Sequence, residues 1–285
     1  MVRLGTCSWK YDSWKGIIYP AAGKFNYLAE YAKHFTTVEI DQWFWSLHAA
    51  DKITLPQEKD VKDYNNSVPD DFLFTIKVPN SLTLTHFYKK KKTDPLITNP
   101  HFLSKDLYYS FIKTLKPIKT KTGVLIFQFE YLNKEKMNSQ MQFIEMFESF
   151  IEKIKGEFRI GVEIRNPNYL NQKFFEFIKK NNLVMVFLHG YYMPPVWEVF
   201  DKCKNFIKGT VVLRLHGPDR KGIEVKTGNV WNNIVEPKDD DIGKIIDIIN
   251  YLESQKIDTY VNVNNHFEGS APLTINKIKR NLIKE

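Results

Sequence analysis

Only two cysteines, Cys7 and Cys203, occur in the 285 residues. They lie far apart, and no Cys-x-x-Cys pair exists, so neither a disulfide framework nor a cysteine-based zinc site is encoded. A reducing cytoplasm is the expected setting. No apolar run approaches the length of a membrane span, so no membrane partner is expected. The start, Val2-Arg3-Leu4-Gly5, has no signal-peptide pattern. No Gly-x-Gly-x-x-Gly follows the first strand and no Gly-x-x-x-x-Gly-Lys-Ser/Thr occurs, which removes the dinucleotide and P-loop fingerprints. His-x-x-x-His and His-Glu-x-x-His are absent, and Ser8 has no nucleophile elbow. No cofactor and no metal ligand set is therefore assigned. Internal repeats and low-complexity tracts are also missing.

What is present is an ordinary globular composition, 43% hydrophobic and 26% charged. The net charge of +8 and pI near 9.1 permit attraction to nucleic acid or another polyanion. A lysine-rich soluble surface explains the same numbers.

The informative stretch is Val211–Gly217, Val-Val-Leu-Arg-Leu-His-Gly. A strand has period two, so Arg214 and His216 share one face and Leu213 and Leu215 the other. The pattern recurs. Glu163 and Arg165 share a face, as do Glu39 and Asp41, and Asn262 and Asn264. Strands are expected at Val2–Ser8, Thr37–Asp41, Phe72–Lys77, Gly123–Phe129, Arg159–Arg165, Leu183–His189, Thr210–His216 and Asp258–Asn264. Helical spacing falls between most of them, most clearly at Ser139–Lys155, Asp239–Gln255 and Ser270–Ile283. Asp51–Tyr64 reads as part helix, broken at Pro56, and Asp219–Pro237 as a long connection. Eight strands alternating with helices, with no linker, predict one α/β domain over residues 1–285, a closed (β/α)8 TIM barrel. An open doubly wound sheet is the alternative.

Barrel chemistry sits at the carboxyl ends of the strands. Alternation there turns inward Thr6 and Ser8, Glu39 and Asp41, Lys77, Gln128, Glu163 and Arg165, His189, Arg214 and His216, and Asn262 and Asn264. Cys7 is expected to point outward. A polar end on a packed barrel predicts a pocket, and a plug of ion pairs such as Glu163 with Arg214 is the competing explanation. Arg165, Arg214 and Lys77 suit a carboxylate or phosphate. Glu39, Glu163 and His216 are the acid/base candidates. Arg214 cannot shed its proton when buried, so it is expected to face Glu39 and Glu163. The run Lys89–Lys92 is a solvated loop or a basic lid.

Several motifs then carry a resemblance. They are Gly5-Thr6-Cys7-Ser8-Trp9 with Trp14-Lys15-Gly16 and Tyr19-Pro20, Val38-Glu39-Ile40 with Phe44, and Phe72–Lys77 with Thr85-His86. Later come Phe127-Gln128-Phe129, Val162-Glu163-Ile164-Arg165, Arg214-Leu215-His216-Gly217, and Asn264-Asn265-His266 with Gly269 and Ala271. In this order they resemble the YecE-like family, domain of unknown function 72, over nearly the whole chain. The resemblance implies a TIM barrel with no established activity. It adds Trp9, His86 and Asn265 to the ligand-binding candidates Ser8, Lys77, Gln128, Arg165, Arg214 and Asn264. The chain departs from the family pattern at Asp41, Glu130, Asn166 and His189.

Three functions compete. One is an enzyme, or former enzyme, acting on a small anionic ligand at the barrel mouth. Another is a nucleic-acid binder or phosphodiesterase. The third is a non-catalytic interaction protein using exposed aromatics around Trp9, Trp14, Trp43 and Trp45.

Overall fold

A computed structural model describes residues 1–89, 91, 93–154, 156 and 158–282. The strands are β1 (Val2–Thr6), β2 (Thr37–Ile40), β3 (Leu47–Ala49), β4 (Lys52–Ile53), β5 (Leu73–Lys77), β6 (Thr122–Gln128), β7 (Ile160–Glu163), β8 (Val184–Gly190), β9 (Thr210–Gly217) and β10 (Asp258–Val263). Eight of them close a parallel barrel in the order β1-β10-β9-β8-β7-β6-β5-β2, and β3 and β4 form a separate antiparallel pair. Every barrel strand overlaps its expected range. The open-sheet alternative falls, because β1 and β2 pair through Thr6 and Val38.

The helices are α1 (Tyr27–Ala32), α2 (Glu58–Asn66), α3 (Asn80–Thr83), α4 (Lys105–Thr114), α5 (Gln140–Lys153), α6 (Gln172–Lys180), α7 (Val196–Cys203), α8 (Arg220–Thr227), α9 (Asp239–Ser254) and α10 (Ala271–Leu282). Side-chain caps set several starts. Asn26, Ser104, Ser139, Asn171 and Asp219 each accept from a backbone N–H of the following first turn. The ends expected at Lys155 and Ile283 lie outside the described residues. Two elements had no sequence signal. In the hairpin β3–β4, β3 precedes the stretch read as part helix and β4 lies inside it, ahead of Pro56. In the connection after Asp219, α8 buries only Ile223, too little for an apolar stripe, and Gly228 stops it in the left-handed region at φ 58°.

The outward faces of the strands meet the helices. Phe127 and Phe129 pack on Phe143, Phe147 and Phe150 of α5, with ring centroids 4.9 to 5.7 Å apart. Inside the barrel, Val124, Ile126, Val184, Val186, Val212 and Tyr260 form a second apolar cluster. Gly161 faces this cluster. A Cβ there would lie 2.8 Å from Val124 Cγ1 and 2.9 Å from Val186 Cγ2. The interior is a plug rather than a channel, so the polar residues above it have a dry floor.

Gly161→Val should therefore destabilise the protein by about 1–3 kcal/mol through overpacking. Urea unfolding monitored by tryptophan fluorescence measures this, and an unchanged midpoint would show that the interior has slack.

Candidate functional site

The carboxyl ends of β2, β5, β6, β7, β9 and β10 converge on Arg214. Its side chain is 2% exposed. Nε donates to Glu39 Oε2 at 2.7 Å and Nη2 to Glu39 Oε1 at 2.7 Å, a bidentate pair. Nη1 donates to Glu163 Oε2 and, at 3.2 Å, to Gln128 Oε1. Asn262 Nδ2 donates to Thr75 Oγ1 at 2.8 Å and to Glu39 Oε2 at 3.4 Å. The expected pairing of Arg214 with both glutamates is what the structure contains.

Each buried charge of this layer is held in its ionised form by its neighbours. Burial alone would raise the Glu163 carboxyl, but Arg214, Arg165 and Lys77 pull it down to about 2. For Arg214 burial works against the charge, yet Glu163 and Glu39 hold its pKa well above the ordinary value. Neither group changes protonation near neutrality.

Two sequence-level orientations are corrected. In β1, Arg3 is in register with Tyr260 and Gly5 with Asn262, both of which point inward. Cys7 is therefore inward, with Sγ 3.5 Å from His216 Nε2, and not an outward packing residue. Thr6 faces outward, and its hydroxyl donates to the backbone oxygen of Ser8 and meets Tyr31 Oη of α1 at 2.9 Å. In β8, Leu188 is in register with Arg214, so Leu188 is inward and His189 is not. His189 Nδ1 accepts from Val196 N at 3.4 Å, and Nε2 lies 3.4 Å from Asp241 of α9. Both misreadings share a cause. The polar groups found partners on helices distant in sequence, which alternation along a strand does not register.

The remaining candidates separate by position. Arg165 Nε donates to Glu163 Oε1 at 2.9 Å, while its side chain stays 31% exposed. Its terminal nitrogens have no hydrogen-bond partner among the described residues. Arg165 and Leu188 line a cavity of about 890 Å³ with Glu130, Tyr131, Tyr191, Arg220 and Lys221. His216 is buried behind Tyr191, with Nδ1 2.9 Å from Tyr191 Oη. Burial, then Arg214 and Arg165, hold its pKa well below the ordinary value, so it is neutral. Burial and Glu39 likewise raise the Cys7 thiol, keeping it protonated. Lys77 lies 3.8 Å from the centroid of the Phe44 ring.

Ser8 and Trp9 line a different cavity, of about 820 Å³, with Asp41 and Tyr64. Trp9 packs edge-on against Tyr64. His86 bonds to Thr85 Oγ1 at 2.9 Å and bridges to Thr98. Asn264 Oδ1 accepts from His266 N, and Asn265 Oδ1 accepts from Ala271 N at the start of α10. These bonds make Asn264 and Asn265 shapers of the loop after β10. Of the aromatics expected at an exposed surface, Trp14 and Trp9 are buried and Trp43 stacks on Tyr64, whereas Trp45 is 62% exposed. Within the basic run, Lys90 and Lys92 lie outside the described residues. Among the described residues, no group of three or more His, Cys, Asp or Glu gathers as metal ligands, and no helix is long and apolar enough to cross a membrane.

Tyr191 had no sequence signal. Its φ of 54° places a bulky residue in the left-handed region. Gly190 precedes it, and a Cβ at Gly190 would stand 2.4 Å from the carbonyl oxygen of Gly217. The loops after β8 and β9 are thus pressed together, and this sets the Tyr191 hydroxyl on His216.

Fold and site together define a TIM-barrel protein with a closed ionic layer beneath a cation-bearing cavity. The chain belongs to the family described as "Protein of unknown function DUF72", whose model matches residues 3–285. Among curated proteins, the UPF0759 protein YecE of Escherichia coli K12 is 23% identical over 169 residues, which is 59% of this chain and 50% of that protein. The match thus spans about half the length of the curated relative. Among solved structures, a DUF72 family protein from Enterococcus faecalis V583 superposes with a TM-score of 0.70 at 19% identity, covering 99% of this chain and 96% of that one. One from Thermotoga maritima MSB8 gives 0.67 at 20% identity, with both chains fully covered. At these identities the likeness concerns the fold.

Removing Arg214 would leave two buried carboxylates facing each other. Arg214→Met should cost about 3–5 kcal/mol of stability, measured by denaturant unfolding. Acid should act on the same layer. The folded pKa of Glu163 lies below its ordinary 4.5, so its contribution is complete above 4.5 and lost as pH falls through about 2. A Glu163→Gln variant should lose this part of the acid sensitivity, and an identical acid profile would contradict the assignment.

Proposed function

We propose that this barrel binds a small anionic ligand, bearing a phosphate or carboxylate, at the carboxyl end of the strands, and performs acid/base chemistry on it. The observation that carries the reading is the division of labour between the two arginines. Arg214 is saturated by protein carboxylates. Arg165 spends one N–H on Glu163 and keeps its terminal fork toward a cavity. A half-exposed guanidinium anchored at its base is pre-oriented for bidentate contact with an anion.

Lys221 adds positive charge to the cavity wall, while Arg220 is paired with Glu224 at 2.7 Å and Asp219 also lines the cavity. Glu130, which also lines it, is paired with Lys136. Tyr191 supplies the proton-bearing group. Its hydroxyl meets His216, which burial and the neighbouring arginines keep neutral, so the imidazole orients the phenol rather than carrying a charge itself. Glu39 and Glu163, acid/base candidates on sequence grounds, are better read as the fixed frame that holds Arg214 and Arg165. The expected setting is a reducing cytoplasm.

Titration with inorganic phosphate, followed by NMR or calorimetry, tests this. Arg165→Met should weaken binding at least about tenfold, the worth of a charge-assisted pair. It should cost at most about 1 kcal/mol of stability, because the lost pair is partly exposed. Undiminished phosphate binding would remove the reading. Tight oligonucleotide binding that falls steeply with salt would select the nucleic-acid alternative.

A further inference from the structure

The cavity at Arg165 is much larger than a bare anion needs. Its volume of about 890 Å³ falls within the range of sites that enclose whole organic ligands, roughly 300–1,000 Å³. A free phosphate would fill one corner of it. The rest of the wall indicates the remainder of the ligand. Tyr131, Tyr191 and Tyr192 line the cavity from the loops after β6 and β8, and Leu188, Met193 and two prolines complete an apolar lining.

The three rings are in different states. Tyr191 is engaged, with Arg165 Cζ 5.5 Å from its ring centroid and the His216 ring centroid at 5.3 Å. That contact, with the bond to Glu163, fixes the Arg165 guanidinium at the wall. Tyr131 and Tyr192 are 58% and 95% exposed. Among the described residues neither ring stacks on another aromatic or a cation, and neither hydroxyl is hydrogen-bonded. A single exposed tyrosine is ordinary on a protein surface. Two unpartnered rings on the wall of one cavity, with an anchored guanidinium on the same wall, form a stacking platform beside an anion clamp.

The charges limit what the clamp can hold. Arg220 is paired with Glu224, and Glu130 with Lys136. Left to a ligand are the Arg165 fork, Lys221 and the carboxylate of Asp219, which caps α8. Two cations suit a group carrying about −1.5 to −2 charge, as a phosphomonoester does at neutral pH. The carboxylates on the same wall oppose a second phosphate.

We propose that the ligand is a phosphomonoester carrying a flat aromatic ring system, of the size of a nucleoside monophosphate. Its phosphoryl group sits on Arg165 and Lys221 and its ring on Tyr131 and Tyr192. This rests on the anion-binding reading above and adds the body of the ligand to it.

The test is calorimetric titration of the full chain with phosphate, ribose 5-phosphate, AMP, UMP and ATP. The better of AMP and UMP should bind at least about tenfold more tightly than ribose 5-phosphate, the worth of one stacked base. The double variant Tyr131→Ala/Tyr192→Ala should lose that advantage and keep its affinity for ribose 5-phosphate. Both side chains are exposed, so folding is not at stake. Arg165→Met should weaken every one of these ligands. Nucleotides that bind no tighter than ribose 5-phosphate, or that bind the double variant as well as the parent, would overturn the proposal. Phosphate and ribose 5-phosphate binding lost in Arg165→Met would then leave the anion site standing alone, whereas no binding of any ligand removes both readings. ATP and a 5′-phosphorylated oligonucleotide should bind no more tightly than the better mononucleotide, and tighter binding of either would overturn the assignment to a single phosphate.

Discussion

Arg214 cannot give up its proton at ordinary pH, and the inside of the barrel is arranged around that fact. A guanidinium buried among strands requires anions, and Glu39 and Glu163 supply them from β2 and β7. Arg165 pairs with Glu163 from the far side, and the neighbouring strands also contribute neutral groups. Gln128 accepts from the guanidinium, and Asn262 donates to Glu39 and Thr75. The apolar cluster from Val124 to Tyr260 seals the layer from below. Water is excluded on that side, and the low dielectric strengthens each charge-assisted bond.

This arrangement bears on where chemistry can occur. A carboxylate pinned to a guanidinium is a poor proton carrier, because protonating it breaks the pair. Groups able to move protons near neutrality must lie around the layer rather than in it. Asp41, raised to about 6, and Lys77, lowered to about 8, fit that description, whereas His216 is held neutral and the Tyr191 hydroxyl is raised. Burial pushes each toward its uncharged form, and that is how proteins bring acids and bases close to working pH.

Much of this was legible from period-two reading. In β9, Arg214 and His216 do share a face, and Arg214 does meet the two glutamates that alternation selected. Reading failed where a polar side chain is satisfied from outside its own strand. Thr6 turns to Tyr31 on α1, and His189 to Asp241 on α9. Those partners lie 25 and 52 residues away. Gly5 deepened the error at β1. It occupies an inward position with no side chain, so the flanking residues seemed to belong to the interior. Trp14 misled for a related reason, since an aromatic-rich loop can fold over a barrel edge and bury itself.

Tyr191 shows what no local pattern contains. A non-glycine residue in the left-handed region costs about 1–3 kcal/mol and persists only where its surroundings over-determine it. Here the surroundings are the backbone of Gly217, which leaves no room for a side chain at Gly190. Gly217 itself abuts the carbonyl oxygen of His266, so the loops after β8, β9 and β10 fix one another in sequence. That contact chain ends on a single hydroxyl, held between a buried neutral imidazole and a cavity bearing Arg165. Packing alone would be served as well by a relaxed residue at this position. The strain makes sense if the placement of the hydroxyl matters more than the stability it costs.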